Sequence, residues 1–198
     1  MSAARVVRLH GGGSTGPNAL GDEALVAACG VGDRAALGGL FDRHHEAVLR
    51  FVTRLTGAGA DDVDDIVQDT FLAARSAASR FRGGSAVRTW LLGIAANVAR
   101  HAARSRGRRR ALVDAASTLA PEGVPFPDAW AQRSELRDAV VRAIDDLPHD
   151  LRTVFVLCDL EELPGAEVAF ALGIPEGTVY RRRHDARRAL RDRLRGVR

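Results

Sequence analysis

The apolar residues of this chain recur every three or four positions, and no segment of useful length alternates apolar with polar. A half-buried strand needs a period of two and a helix a period of 3.6, so the pattern predicts an all-α protein. From Asp33, Leu37, Leu40, Phe41, Val48, Phe51, Val52 and Leu55 keep to one helical face until "TGAGA" ends it. A second helix starts in "DDVDDIVQD" and is expected to bury Val63, Ile66, Val67 and Phe71, and a third carries Val87, Trp90, Leu91, Ile94, Ala95 and Val98. Residues 1–21, with "HGGGSTGPN", have the composition of a flexible tail. Residues 111–133 include "APEGVPFPDAW" with no sustained helical pattern and read as a linker. The expected organisation is therefore two small helical domains, residues 22–110 and 134–198.

At 198 residues the chain has room for one ordinary domain or two small ones. It contains no apolar run of about 18 residues and no charged-then-apolar leader, so a soluble, cytoplasmic protein without membrane insertion is expected. Cys29 and Cys158 fall in apolar helical stretches without CxxC spacing, which favours small buried residues over a disulfide or a zinc site. All 29 basic residues are arginine. The net charge of +4 conceals a segregation that says more than the sum. Residues 61–69 hold five aspartates and no base, residues 75–110 ten arginines and no acid, and residues 175–198 nine arginines against three acids. Separate blocks of sign point to separate partner surfaces.

The last basic block follows a motif. "EVAFALGIPEGTV" has a small residue, Ala169, where two helices would cross, Gly173 for the tight turn four positions on, and Val179 to anchor a second helix. This is helix-turn-helix spacing, and Pro175 suits the first turn of the second helix because its missing N–H would have no partner there. Val179, Ala186, Leu190 and Leu194 would form the inner stripe, which leaves the arginines to crowd the remaining surface. A recognition helix brings its N-terminal residues nearest the bases. Thr178, Tyr180, Arg181 and Arg182 are then candidates for base edges and nearby phosphates, and Arg187, Arg188 and Arg191 for phosphates further along.

Two quoted blocks carry a resemblance. "DDIVQDTFLAAR" followed by "FRGGSAVRTWLLGIAANVARHAARSR", and then "AIDDLPHDLRTVFVLCDLEELPGAEVAFALGIPEGTVYRRRHDARRALRDRL" after a linker, resemble a bacterial RNA polymerase sigma factor of the extracytoplasmic-function group. The resemblance covers about residues 22 to 196. It implies region 2 in residues 22–110 and region 4 in residues 134–198, core RNA polymerase and promoter DNA as partners, and an anti-sigma protein that holds the free factor off core. By the same resemblance Asp65, Ile66, Gln68 and Asp69 mark the helix that meets the polymerase clamp, with Ile66 also packing the core. Arg80, Phe81, Arg88, Trp90, Asn97, Arg100 and Arg104 mark the region that captures the nontemplate strand of the minus-10 element. Thr178, Tyr180, Arg181, Arg182, Arg187 and Arg188 fall to the minus-35 duplex. The acidic linker residues Asp114, Glu122 and Asp128 would thread the polymerase cleft.

Capture of a single strand calls for cations along the backbone and surfaces on which bases stack. Trp90 is in register with the core stripe, so burial and base contact are both open to it. The chain departs from its relatives at Leu92 and Gly93, where an aromatic and a base are common, and at Arg183, which takes the place of an inward leucine and can lay its stem along the core. A stand-alone helix-turn-helix regulator is the alternative, but it leaves "DDIVQDTFLAAR" and the basic third helix unexplained. An enzyme is not expected. His44, His45 and Glu46 of "DRHHE" point in different directions on a helix, and there is no phosphate loop or nucleophile–base pairing, so no catalytic residue, metal or cofactor is assigned.

Overall fold

The computed structural model describes residues 20–57, 62–113 and 128–195, with the side chains of 106–113 and 128–135 left aside. Every regular element among them is helical: α1 (Asp22–Gly30), α2 (Arg34–Thr56), α3 (Val63–Ala77), α4 (Val87–Val113), α5 (Asp128–Asp145), α6 (His149–Phe155), α7 (Gly165–Leu172) and α8 (Glu176–Leu194). The acidic linker positions Asp114 and Glu122 and the tail up to residue 19 lie outside the described residues, as does the side chain of Asp128. Helix α4 runs three residues into the segment read as linker, and α5 starts six residues before Ser134. The prolines of that segment are at 121, 125 and 127, so they leave both flanks free to be helical.

Helices α1 to α4 form the first unit. Asp33 caps α2, its carboxylate accepting from the backbone N–H of Ala35 (2.8 Å) and Ala36 (3.3 Å). The α2 stripe that faces inward is Ala36, Leu40, His44, Val48, Phe51, Val52 and Leu55. Phe51 is fully buried, a burial that contributes about 2–3 kcal/mol. Phe41, expected on that stripe, is 40% exposed; it lies one residue round the helix from Leu40 and packs instead on His45 and Phe71, at ring distances of 4.6 and 4.9 Å. His44 takes the inward place, and its Nε2 is 2.8 Å from an Asp22 carboxylate oxygen, which satisfies an otherwise costly buried polar group. Asp22 opens α1, a short helix that buries Leu25, Val26 and Cys29. On α3, Ile66, Val67, Thr70, Phe71 and Ala74 turn inward, and the buried Thr70 hydroxyl donates to the Ile66 carbonyl (2.7 Å).

Helices α5 to α8 form the second unit, and α7 and α8 make the helix-turn-helix. Gly173 ends α7 in the left-handed conformation (φ 64°, ψ 35°), and the Ile174 N–H reaches back to the Ala169 carbonyl (3.0 Å). Pro175 precedes the first residue of α8 rather than occupying it, and its carbonyl accepts from Thr178 (2.9 Å) and Val179 (3.3 Å). Val179, Ala186 and Leu190 are buried and Leu194 is half-buried, as the stripe requires. Cys29 and Cys158 are both buried free thiols.

The two units also touch, which periodicity alone does not show. One continuous apolar core takes in Leu91, Leu92 and Ala95 of α4 together with Val154 of α6, Val168 of α7 and Val179 of α8. A smaller core of Ala143, Leu147, Ala186 and Leu190 joins α5 to α8. Arg152 spans the junction, donating to the Leu55 carbonyl at the end of α2 (2.9 Å) and to the Leu147 carbonyl (3.2 Å).

The turn predicts opposite signs for two glycines in one motif. A Cβ meets nothing within 4 Å at either Gly173 or Gly177. Gly173→Ala should nevertheless lower thermal stability by about 1 kcal/mol, because only its positive φ is penalised. Gly177→Ala, within α8, should raise it by about 0.5 kcal/mol. Thermal unfolding of the two variants by circular dichroism checks both.

Candidate nucleic-acid interface

The acidic face of α3 is built on a buried row. Asp65, Gln68 and Asp69 are exposed, while Ile66 beneath them is 2% exposed and belongs to the core. Ile66 therefore cannot touch a partner from this position; it fixes the helix whose other side presents the carboxylates. Asp64 and Asp65 also fall in the first turn of α3, where the positive end of the helix favours acids. Exposed Leu72, one turn on from Gln68 and Asp69 along α3, gives this side apolar ground that the charge pattern did not indicate.

The basic residues of the first unit follow α4 and the loop before it. Arg80 and Arg104 are exposed, whereas Phe81, Arg88, Trp90, Asn97 and Arg100 are half-buried. Trp90 is half-buried against the core, and its ring is 5.0 Å from that of Phe81 at an angle of 49°. Asn97 Oδ1 accepts from Arg100 (2.5 Å). Arg88 is bonded to a Glu161 oxygen, and Arg54 donates to the other (2.5 Å). Leu92, at a position where relatives carry an aromatic or a base, is fully buried, and Gly93 lies against α7. Both positions are buried in this structure.

On α8 the first two turns are exposed on one side. Tyr180 is 55% exposed and its hydroxyl donates to Glu176 (3.1 Å); Arg181 is exposed with no protein partner among the described residues. Thr178 is half-buried, and Arg182 is held by Asp150 (2.7 Å), so Arg181 is the freer of the two adjoining arginines. Arg183 lays its stem inward as expected, but its head does not end in solvent: Nε and Nη2 both reach Asp159, each at 3.1 Å. Arg187 bonds the same carboxylate, and Arg188 is exposed, 3.7 Å from Asp185 one turn back. Asp159 is only 11% exposed at its side chain. Burial alone would raise its carboxyl, but the hydrogen bonds from Arg183 and Arg187 outweigh that and hold it below the usual aspartate range.

Sequence reasoning missed the acids that hold these arginines, Asp150, Asp159 and Glu161, and Glu167, which accepts from the Thr89 hydroxyl and the Ala86 N–H. The signal available was the acid content of "HDLRTVFVLCDLEELPGAE", in an otherwise basic half, but spacing does not say which arginines they meet. Among the described residues no group of His, Cys, Asp and Glu is placed to hold a metal ion, and no helix is long and apolar enough to cross a membrane.

An arginine-rich helix-turn-helix beside a second helical unit with one basic and one acidic face defines the class of a DNA-binding transcription protein. Comparison with known proteins narrows this. The sigma-70 region 2 family matches residues 40–109 and the sigma-70 region 4 family residues 137–190. The chain is 34% identical over 183 residues to the ECF RNA polymerase sigma-E factors of Escherichia coli K12 and Salmonella typhimurium LT2, covering 88% of this chain and 95% of each relative. The Haemophilus influenzae sigma-E factor is 33% identical over 183 residues, with 96% of that relative covered. Among solved structures it is similar to CnrH in complex with the cytosolic domain of CnrY (TM-score 0.61, 30% identity, 88% of this chain and 97% of that one). The fold also matches the Bartonella quintana sigma factor RpoE in complex with the anti-sigma factor NepR (TM-score 0.59, 24% identity, 80% of this chain and 96% of that one). The chain belongs to the extracytoplasmic-function sigma factors of the sigma-70 family. Its role is that of a sigma factor in promoter-directed transcription initiation, and the match to region 2 disfavours a stand-alone regulator. Sigma factors are in general DNA-binding initiation factors and not enzymes.

The doubly held Asp159 gives a pH prediction. A carboxyl depressed in the folded state contributes stability that is present above its unfolded value of 3.8 and is lost as pH falls through the folded value. Asp159→Asn should cost about 2 kcal/mol at neutral pH. That difference from the wild type should shrink as urea melts are repeated below pH 4.

Proposed function

We propose that residues 22–110 act as region 2, carrying core-polymerase binding and minus-10 capture, and that residues 134–198 act as region 4 and read the minus-35 duplex. The observation that carries this reading is the acidic face of α3, three exposed polar residues on a helix whose opposite side is fully committed to the core. A capping role accounts for one or two acids at a helix start; exposed Asp69, in the second turn, lies beyond that need and suits a basic partner. In this assignment Asp65, Gln68 and Asp69 meet core RNA polymerase. Arg80, Phe81, Arg88, Trp90, Asn97, Arg100 and Arg104 meet the single-stranded minus-10 element, with the Phe81–Trp90 pair as the stacking surface. Thr178, Tyr180, Arg181, Arg182, Arg187 and Arg188 meet the minus-35 duplex. The protein acts in the cytoplasm, catalyses no reaction of its own, requires no cofactor, and is restrained by an anti-sigma protein. The two solved relatives supply support for the last point, since CnrH is bound by the cytosolic domain of CnrY and the Bartonella factor by NepR.

The acidic face is tested by Asp65→Arg combined with Asp69→Arg. Both side chains are exposed, so helix content should be unchanged while core binding falls at least about tenfold, each reversal turning attraction into repulsion. Unchanged core affinity in a folded double variant would remove this face from the assignment. On α8 the arginines should differ in kind. Arg188→Ala should weaken binding to all duplexes and lower the salt slope by about one, and Arg181→Ala should cost about 1–3 kcal/mol and relax preference at one base pair. Binding selections at two salt concentrations distinguish them.

A further inference from the structure

A groove lies along the second unit between α5 and α8. Its volume is about 1020 Å³, at the upper end for clefts that hold small molecules. The floor is apolar: Val140 and Ile144 of α5, Phe155 of α6, and Leu190 and Leu194 of α8. Val140 and Ile144 are four residues apart and so share a face of α5, and Leu136, a further turn back, continues that stripe while 53% exposed. The fold uses this stripe only in part, since the buried core that joins α5 to α8 is Ala143, Leu147, Ala186 and Leu190.

The α8 wall of the groove is cationic. Arg183, Arg187, Arg191 and Arg195 recur at every fourth residue, a ladder along one side of the helix, and no Asp or Glu lines the groove. Like charges at this spacing repel one another, so the ladder costs the helix stability unless anions answer it. Arg183 and Arg187 share one carboxylate, Asp159, and Arg195 is 3.6 Å from Asp192. Arg191 donates to the Arg187 carbonyl (3.4 Å) and has no acidic partner among the described residues. Four guanidinium groups therefore meet two carboxylates, and the uncompensated charge is centred on Arg191.

The floor residues carry no hydrogen-bonding side chain, so a polar body laid on them would lose water without gaining partners. The wall presents guanidinium forks that match a carboxylate. An apolar chain with an anionic head meets both conditions. We propose that this groove binds a fatty acid, the acyl chain lying on Val140, Ile144 and Leu194 and the carboxylate held by Arg191 beside Arg187. Tyr180 and Arg187, both assigned above to the minus-35 duplex, line the same groove, so a seated fatty acid takes up a phosphate contact and lowers duplex affinity. That consequence rests on the proposed function; binding itself does not.

Calorimetric titration of the full chain without DNA tests the site. The probe is decanoate, far below its micelle concentration, with decanol and acetate as controls for the chain and the head. Decanoate should bind with a Kd on the order of 100 µM, while decanol and acetate give no saturable heat at the same concentrations. Val140 is half-buried and belongs to neither core, so Val140→Asp should keep its helix content by circular dichroism and lose decanoate binding. Arg191→Ala should weaken decanoate about tenfold. No binding of decanoate to the wild type overturns the proposal, as does binding of an acidic amphipathic helical peptide in its place. Equal binding by folded Val140→Asp overturns the location, and decanol bound as tightly as decanoate overturns the role of the arginine wall. In fluorescence anisotropy with a labelled duplex of random sequence, saturating decanoate should lower affinity at least about threefold. Unchanged duplex affinity overturns the competition, and the minus-35 assignment is then judged separately by the Arg181 and Arg188 variants.

Discussion

The contact on which the junction between the two units depends is a single carboxylate. Glu161 is almost wholly removed from water, and an ionised acid in that position is tolerable only with its charge answered on both oxygens. Arg54 of α2 answers one and Arg88 of α4 the other, so Glu161 pins the turn after α6 to two helices of the first unit at once. That turn is unusual in itself. The wide helical turn Val156–Leu160 is followed by Glu162 at φ 55°, a left-handed conformation that costs a residue with a side chain about 1 kcal/mol. The backbone accepts this cost at the residue next to Glu161, and the chain is then directed into α7 with Glu167 aimed at the start of α4.

The same arginines that suit a sigma factor to DNA are what make this junction possible. Guanidinium groups do not distinguish strongly between a carboxylate and a phosphate, and a protein that concentrates them on two faces can satisfy them internally if it also carries acids at the facing positions. Here the acids are few and are shared: Asp150 serves Arg100 and Arg182, Asp159 serves Arg183 and Arg187, and Glu161 serves Arg54 and Arg88. The exposed Asp65 and Asp69 of α3 take no part in these shared ion pairs among the described residues.

The sequence revealed the elements far better than their meeting. Helical period, the Gly173 turn and the α8 stripe of Val179, Ala186 and Leu190 are local patterns, and local patterns are what a single chain displays. Phe41 departs from its expected place because periodicity is coarse at the edge of a stripe, where a rotation of about 100° decides between Leu40 inside and Phe41 outside. Ile66 lies among the aspartates in sequence, and its i, i+4 relation to the buried Thr70 places it beneath them in the core, the packing the resemblance also implied. The junction was not legible at all: Glu161 finds Arg54 across 107 residues and Arg88 across 73, and no spacing rule links an acid to arginines so far away. Gly93 did stand out as a departure from relatives, and the structure shows its physical reason in the approach of Ala171.

If Glu161 couples the two units, they should unfold together only while it is present. Differential scanning calorimetry of the full chain and of Glu161→Ala puts this to a direct measurement, because the excess heat curve reports how many cooperative units melt. One transition is predicted for the wild type, and for Glu161→Ala two resolved transitions, the earlier below the wild-type midpoint. A variant that still melts in a single transition at the wild-type temperature would contradict the account.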